Sequence, residues 1–169
     1  MSAPAVIDSL EFARAGEELS GRVEVRQLQR LEDLLFDTEG ILDYGLTGSR
    51  DERKRPQLEV SVTGRLHLQC QRCLGCLEYD VAVENTLLLV ASGAPHDPEL
   101  DEPDAPDAIE GSDELDVMAL VEDEILLSLP ISPRHEDECV SRLGDQARAA
   151  GPQSPFALLE TLKGSRSRS

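Results

Sequence analysis

The chain has 169 residues, is 40% hydrophobic and 3% aromatic, lacks tryptophan and carries a formal net charge of −18. That length suits one domain with some unstructured segments, its modest core filled by Leu, Val and Ile. The acid excess argues against direct grip on nucleic-acid phosphate, which needs Lys and Arg, and no apolar run reaches the roughly 20 residues of a membrane helix.

Residues 1–14 hold no basic segment followed by an apolar one, so no secretory signal is expected and the expected location is the cytoplasm. Four cysteines in that compartment read as reduced thiols or metal ligands rather than disulfides.

In chain order, residues 5–12, with Val6, Ile7, Leu10 and Phe12, suit a strand or one short turn. Residues 21–25 alternate as a short strand. Leu28, Leu31, Leu34 and Leu35 then follow the spacing of one helical face over residues 27–36. Leu42, Tyr44 and Leu46 alternate with Asp43, Gly45 and Thr47. The clearest strand covers residues 58–70: Leu58, Val60, Val62, Leu66, Leu68 and Cys70 share one face and Glu59, Ser61, Thr63, Arg65, His67 and Gln69 the other. A period of two is what one buried and one wet sheet face require. Gly64 within it suggests a bulge. Residues 77–90 continue the alternation, so three successive strands with short connections predict an antiparallel meander.

Residues 91–112 are acidic, proline-interrupted and poor in apolar side chains, which predicts a flexible loop. Residues 107–110 within it suit a brief edge strand. Ser112 or Asp113 then caps a helix carrying Leu115, Met118, Val121, Ile125, Leu126 and Leu129 on a helical repeat, with Glu122, Asp123 and Glu124 expected in solvent. Pro130 and Pro133 stop it. Ser154 and Pro155 open a short terminal helix with Phe156, Leu159 and Leu162 on one face. Residues 164–169 form a basic, serine-rich tail that is expected to be disordered.

Chemistry concentrates at few places. Cys70 and Cys73 form a C-x-x-C pair where a strand meets a turn, a setting in which two thiolates converge on one zinc ion. His135 and Cys139 could complete a tetrahedral site, with Cys76 as a competing fourth ligand. Four protein ligands would make such a zinc structural. The same cysteines also suit packing as reduced thiols that behave as small hydrophobes. A thioredoxin-like redox pair fits less well, because that motif opens a helix in a βαβ unit. Three consecutive acids on a helix, Glu122 to Glu124, point in different directions and suit a solvated face better than a cation site. No phosphate cradle, nucleophile elbow or metalloprotease motif occurs, so no catalytic residue is assigned.

Between Ala91 and Cys139 there are sixteen Asp or Glu and one basic residue, Arg134. Such a block suits either a solubilising loop or a docking surface for a basic protein, since complementary charge raises association rates.

These motifs together resemble the YceD family of bacterial large-ribosomal-RNA-subunit accumulation proteins. The resemblance rests on Cys70-Gln71-Arg72-Cys73, on residues 120–130 ending in Leu129-Pro130, on His135 with Cys139, and on Pro155-Phe156-Ala157-Leu158-Leu159 through Lys163. They occur in the family's order over residues 19–163. The resemblance implies a cytoplasmic, non-enzymatic factor supporting synthesis, processing or stability of 23S ribosomal RNA. In many bacteria the family's gene lies beside one for a large-subunit ribosomal protein, which implies a role in ribosome assembly.

The expected architecture is α+β: an antiparallel sheet meander packed by two or three helices, one domain over residues 1–163 with a flexible acidic loop at 91–112. The expected partner is a basic ribosomal protein or large-subunit assembly factor, engaged through Glu122, Asp123, Glu124, Phe156 and Leu159, with 23S ribosomal RNA contacted indirectly.

Overall fold

A computed structural model describes residues 6–93, 98, 105–136 and 139. The fold is α+β. A five-stranded sheet runs in the order β2-β3-β4-β5-β6, formed by Glu18–Glu24, Ile41–Arg50, Pro56–Gln69, Cys76–Val90 and Asp107–Glu110. The first four strands pair antiparallel in sequence order, while β6 pairs with β5 in parallel. A separate antiparallel pair joins β1 (Val6–Ile7) to β7 (Leu115–Asp116).

The alternation along β4 places Leu58, Val60, Val62, Leu66 and Leu68 at 2% exposure or less. Across the register, Leu42 and Leu46 on β3 and Val81, Val83 and Leu87 on β5 join them in one cluster. Each fully buried aliphatic side chain contributes about 2 kcal/mol by leaving water. Two helices close this face. Helix α1 (Ser9–Ala15) buries Phe12 and Ala13 against β3 and β4, and α2 (Val117–Ser128) buries Val117, Val121 and Ile125 against β4 and β5. Asp8 caps α1 by accepting from the Glu11 N–H at 2.9 Å. Close approach of α1 requires Gly48, where a Cβ would lie 2.4 Å from the Phe12 carbonyl oxygen.

Three sequence expectations change. Residues 27–36 do not form one α-helix. They form two 3-10 turns, Val25–Gln27 and Gln29–Leu34, separated at Leu28 by a non-helical ψ of 79°. Leu28, Leu31 and Leu35 still reach the core, but Leu34 is 45% exposed. Gly64 marks no bulge, since pairing continues through it to Leu42 and Val81. Its φ of +149° and a hypothetical Cβ 2.6 Å from Leu42 Cδ2 give the reason for glycine. The cap of α2 is Asp116, which accepts from the N–H groups of Met118 and Ala119 at 2.8 and 3.2 Å. Ser112 and Asp113 lie too early, because Leu115 and Asp116 are first used as strand β7. The edge strand at Asp107–Glu110 forms, and residues 94–97 and 99–104 of the acidic segment lie outside the described residues.

Candidate metal centre

Strands β4 and β5 are joined by residues 70–75, with Gln69 opposite Cys76 at the last rung. The Cys70 N–H donates to the Gly75 carbonyl at 3.0 Å and the Leu74 N–H to the Cys70 carbonyl at 2.9 Å, closing a tight knuckle. Leu74 takes a left-handed φ of 59° to complete it. The Gly75 N–H donates to Cys73 Sγ at 3.4 Å. The segment after α2 is then drawn to this knuckle: the Gln71 N–H donates to the Pro133 carbonyl at 2.8 Å. The end of α2 is held to β5 by the Tyr79 hydroxyl, which donates to the Ser128 carbonyl at 3.2 Å.

This convergence brings Cys70, Cys73, His135 and Cys139 together, one donor atom from each lying within 4.8 Å of the others. Cys73 Sγ is 3.6 Å from His135 Nδ1, and Cys70 Sγ is 3.9 Å from Cys139 Sγ. Tetrahedral zinc with Zn–S bonds of about 2.3 Å sets its sulfurs about 3.8 Å apart, so both separations fit such an ion. Cys70 is fully buried and the other three are half-buried. The competing ligand, Cys76, is turned away. Its side chain is exposed, and only its backbone carbonyl serves the cluster, accepting from His135 Nε2 at 2.9 Å.

Burial would push the Cys70 thiol up, but the amide N–H groups of Cys73, Arg72 and His135 and the Cys73 side chain outweigh it and bring it to about 5. His135 is raised, by its bond to the Cys76 carbonyl and then by the Cys70 thiolate. Cys139 is raised by burial and by its thiol neighbours Cys73 and Cys70. The surrounding amides therefore favour the Cys70 thiolate, the charge state a metal ligand requires.

The acids of α2 are placed otherwise than expected. Glu122 is 9% exposed and accepts from the Arg30 backbone N–H at 3.2 Å. Glu124 is 5% exposed and accepts from Asn85 Nδ2 at 2.9 Å. Asp123 pairs with the Arg30 guanidinium. Glu122 and Glu124 therefore do not face solvent, because the second 3-10 turn on one side and β5 on the other each supply a donor, while Asp123 stays half-exposed. Phe156, Leu159 and His96 lie outside the described residues. Sequence reasoning missed the carbonyl of Cys76 and the amides of Arg72 and Cys73, whose roles depend on turn geometry. It also gave no signal for Asp37, which binds His67 from 30 residues away.

The fold and this centre define a small α+β protein with a cysteine–histidine knuckle at the tip of its longest hairpin. Residues 58–163 match the model of the family described as large ribosomal RNA subunit accumulation protein YceD, and the chain belongs to that family. The matched span contains the knuckle, α2 and both distal donors. A curated relative of the same description, from Haemophilus influenzae, is 29% identical over 171 residues, covering 95% of this chain and 95% of the relative. No solved structure matches the chain. Among the described residues no helix is long and apolar enough to cross a membrane.

Proposed function

We propose that this chain is a non-enzymatic, cytoplasmic factor that supports synthesis, processing or stability of 23S ribosomal RNA. It acts by binding a basic ribosomal protein or large-subunit assembly factor, and reaches the RNA through that partner. The observation that carries this reading is the family match over residues 58–163. The net charge of −18 supports a protein partner, since sixteen basic residues face thirty-four acids and phosphate contact rewards the opposite balance. Because Glu122 and Glu124 are engaged inside the fold, acids of the open sheet face such as Glu18 and Glu84 are better placed for docking than α2. A structural zinc at Cys70, Cys73, His135 and Cys139 would clamp the segment after α2 onto the β4–β5 tip. The four protein donors leave such an ion no open position.

Affinity capture from growing cells, with and without nuclease, tests the binding mode. Large-subunit proteins that persist after nuclease are expected. Recovery that vanishes with nuclease would mean contact through RNA and would refute the protein-partner account.

A second reading follows from the four-donor cluster: the metal or redox state of the thiols sets the protein's activity. Capture of the same partners by metal-loaded and chelator-treated protein tests it: graded, reversible change in recovery with metal supports control, and unchanged recovery refutes it.

A further inference from the structure

A second donor cluster stands on the opposite, open face of the sheet. His67 on β4 pairs with Glu78, and Gln69 pairs with Cys76, so His67 and Cys76 are diagonal neighbours on the face away from Leu66 and Leu68. Asp37 reaches them because the chain leaving the 3-10 turns is pinned beside β4. Leu35 bridges to Leu68, and the Phe36 N–H donates to the His67 carbonyl at 2.7 Å. One donor atom from each of Asp37, His67 and Cys76 then lies within 4.8 Å of the other two.

The local bonds assign roles within this trio. His67 Nδ1 lies 2.8 and 2.9 Å from the two Asp37 oxygens. A carboxylate only accepts, so without metal Nδ1 carries a proton, and an ion held between Nδ1 and the carboxylate would take that proton's place. Asp37 Oδ1 also accepts from the Glu39 N–H at 3.0 Å, which leaves Oδ2 with the freer lone pairs. Burial first, then the negative charge of Asp37 and Glu78, raises the Cys76 thiol, so an ion bound there must displace its proton.

We propose that Asp37, His67 and Cys76 form a second metal site, for a zinc-like divalent transition-metal ion. A thiolate, an imidazole and a carboxylate select such an ion over magnesium or calcium, which prefer oxygen alone. Three protein ligands leave one coordination position for water or for a ligand from outside. The site is separate from the knuckle centre, yet the two meet at residue 76: its carbonyl orients His135 and its thiol faces the other side of the sheet.

Cysteine alkylation of the full chain, mapped residue by residue during titration with Zn(II), tests this. The expected order is protection of Cys70, Cys73 and Cys139 by the tighter centre, then of Cys76. With free Zn(II) at about ten times the second dissociation constant, Cys76 alkylation slows about tenfold by mass action. In His67→Gln the Cys76 protection should disappear while the other three cysteines stay protected, which also certifies the variant's fold. A Cys76 alkylation rate unaffected by Zn(II), or protection unchanged in His67→Gln, overturns the proposal. Loss of protection at Cys70 and Cys73 alone would instead count against the knuckle centre.

Discussion

His135 Nε2 donates to the carbonyl of Cys76 at 2.9 Å. Because a carbonyl only accepts, the proton sits on Nε2 and the lone pair on Nδ1, the nitrogen 3.6 Å from Cys73 Sγ. One backbone group at the first residue of β5 thus fixes the tautomer that a metal-binding imidazole needs.

Metal content follows from that geometry. Protein purified without chelator should carry zinc, and Cys73→Ser should weaken its binding at least about a hundredfold, measured by competition with a coloured chelator. Affinity should fall with falling pH, because His135 holds its proton above its usual 6.5 and a ligating imidazole must release it. Binding unchanged in Cys73→Ser would remove this thiol from the ligand set.

The buried acids of α2 give a stability prediction. Glu124→Ala strips the closer carboxylate from Asn85 Nδ2 and should cost about 1–3 kcal/mol in denaturant unfolding. Glu124→Gln keeps an acceptor and should cost less. Equal stability of all three proteins would mean that the Glu124–Asn85 bond contributes nothing to the fold.

Much of this architecture was legible in the sequence. The β4 alternation from Leu58 to Leu68 was readable because one face is buried along its whole length. Cys70 and Cys73 were readable because two thiols two residues apart have few local alternatives. Residues 27–36 misled because their leucine spacing is that of an α-helical face, and nothing in composition announces the break at Leu28 that leaves two 3-10 turns. Glu122 and Glu124 misled because their donors come from 92 and 39 residues away. Cys76 lies on the wet face simply because its rung partner is Gln69, which depends on a turn length that composition does not reveal.

Gly48 gives a packing prediction. Gly48→Ala would drive a methyl into the Phe12 carbonyl, 2.4 Å away, and should destabilise the protein by about 1–3 kcal/mol. Thermal unfolding checks this, and an unshifted midpoint would mean that α1 moves away without cost.

Acid stability should report the Asp37–His67 pair. The His67 hydrogen bond, followed by the Glu39 N–H, holds the Asp37 carboxyl below its ordinary 3.8. A depressed folded value means that the contribution is complete above 3.8 and is lost as pH falls through the folded value. Asp37→Asn should therefore flatten the acid limb of the unfolding-midpoint curve, whereas an identical limb would assign acid sensitivity to other carboxylates.

The most direct test of the central claim is the ratio of 23S to 16S ribosomal RNA in cells depleted of this protein. The ratio should fall on depletion, recover with the wild-type chain and recover poorly with Cys70→Ser or Cys73→Ser. A ratio that stays constant while the protein is absent would contradict a role in large-subunit RNA accumulation.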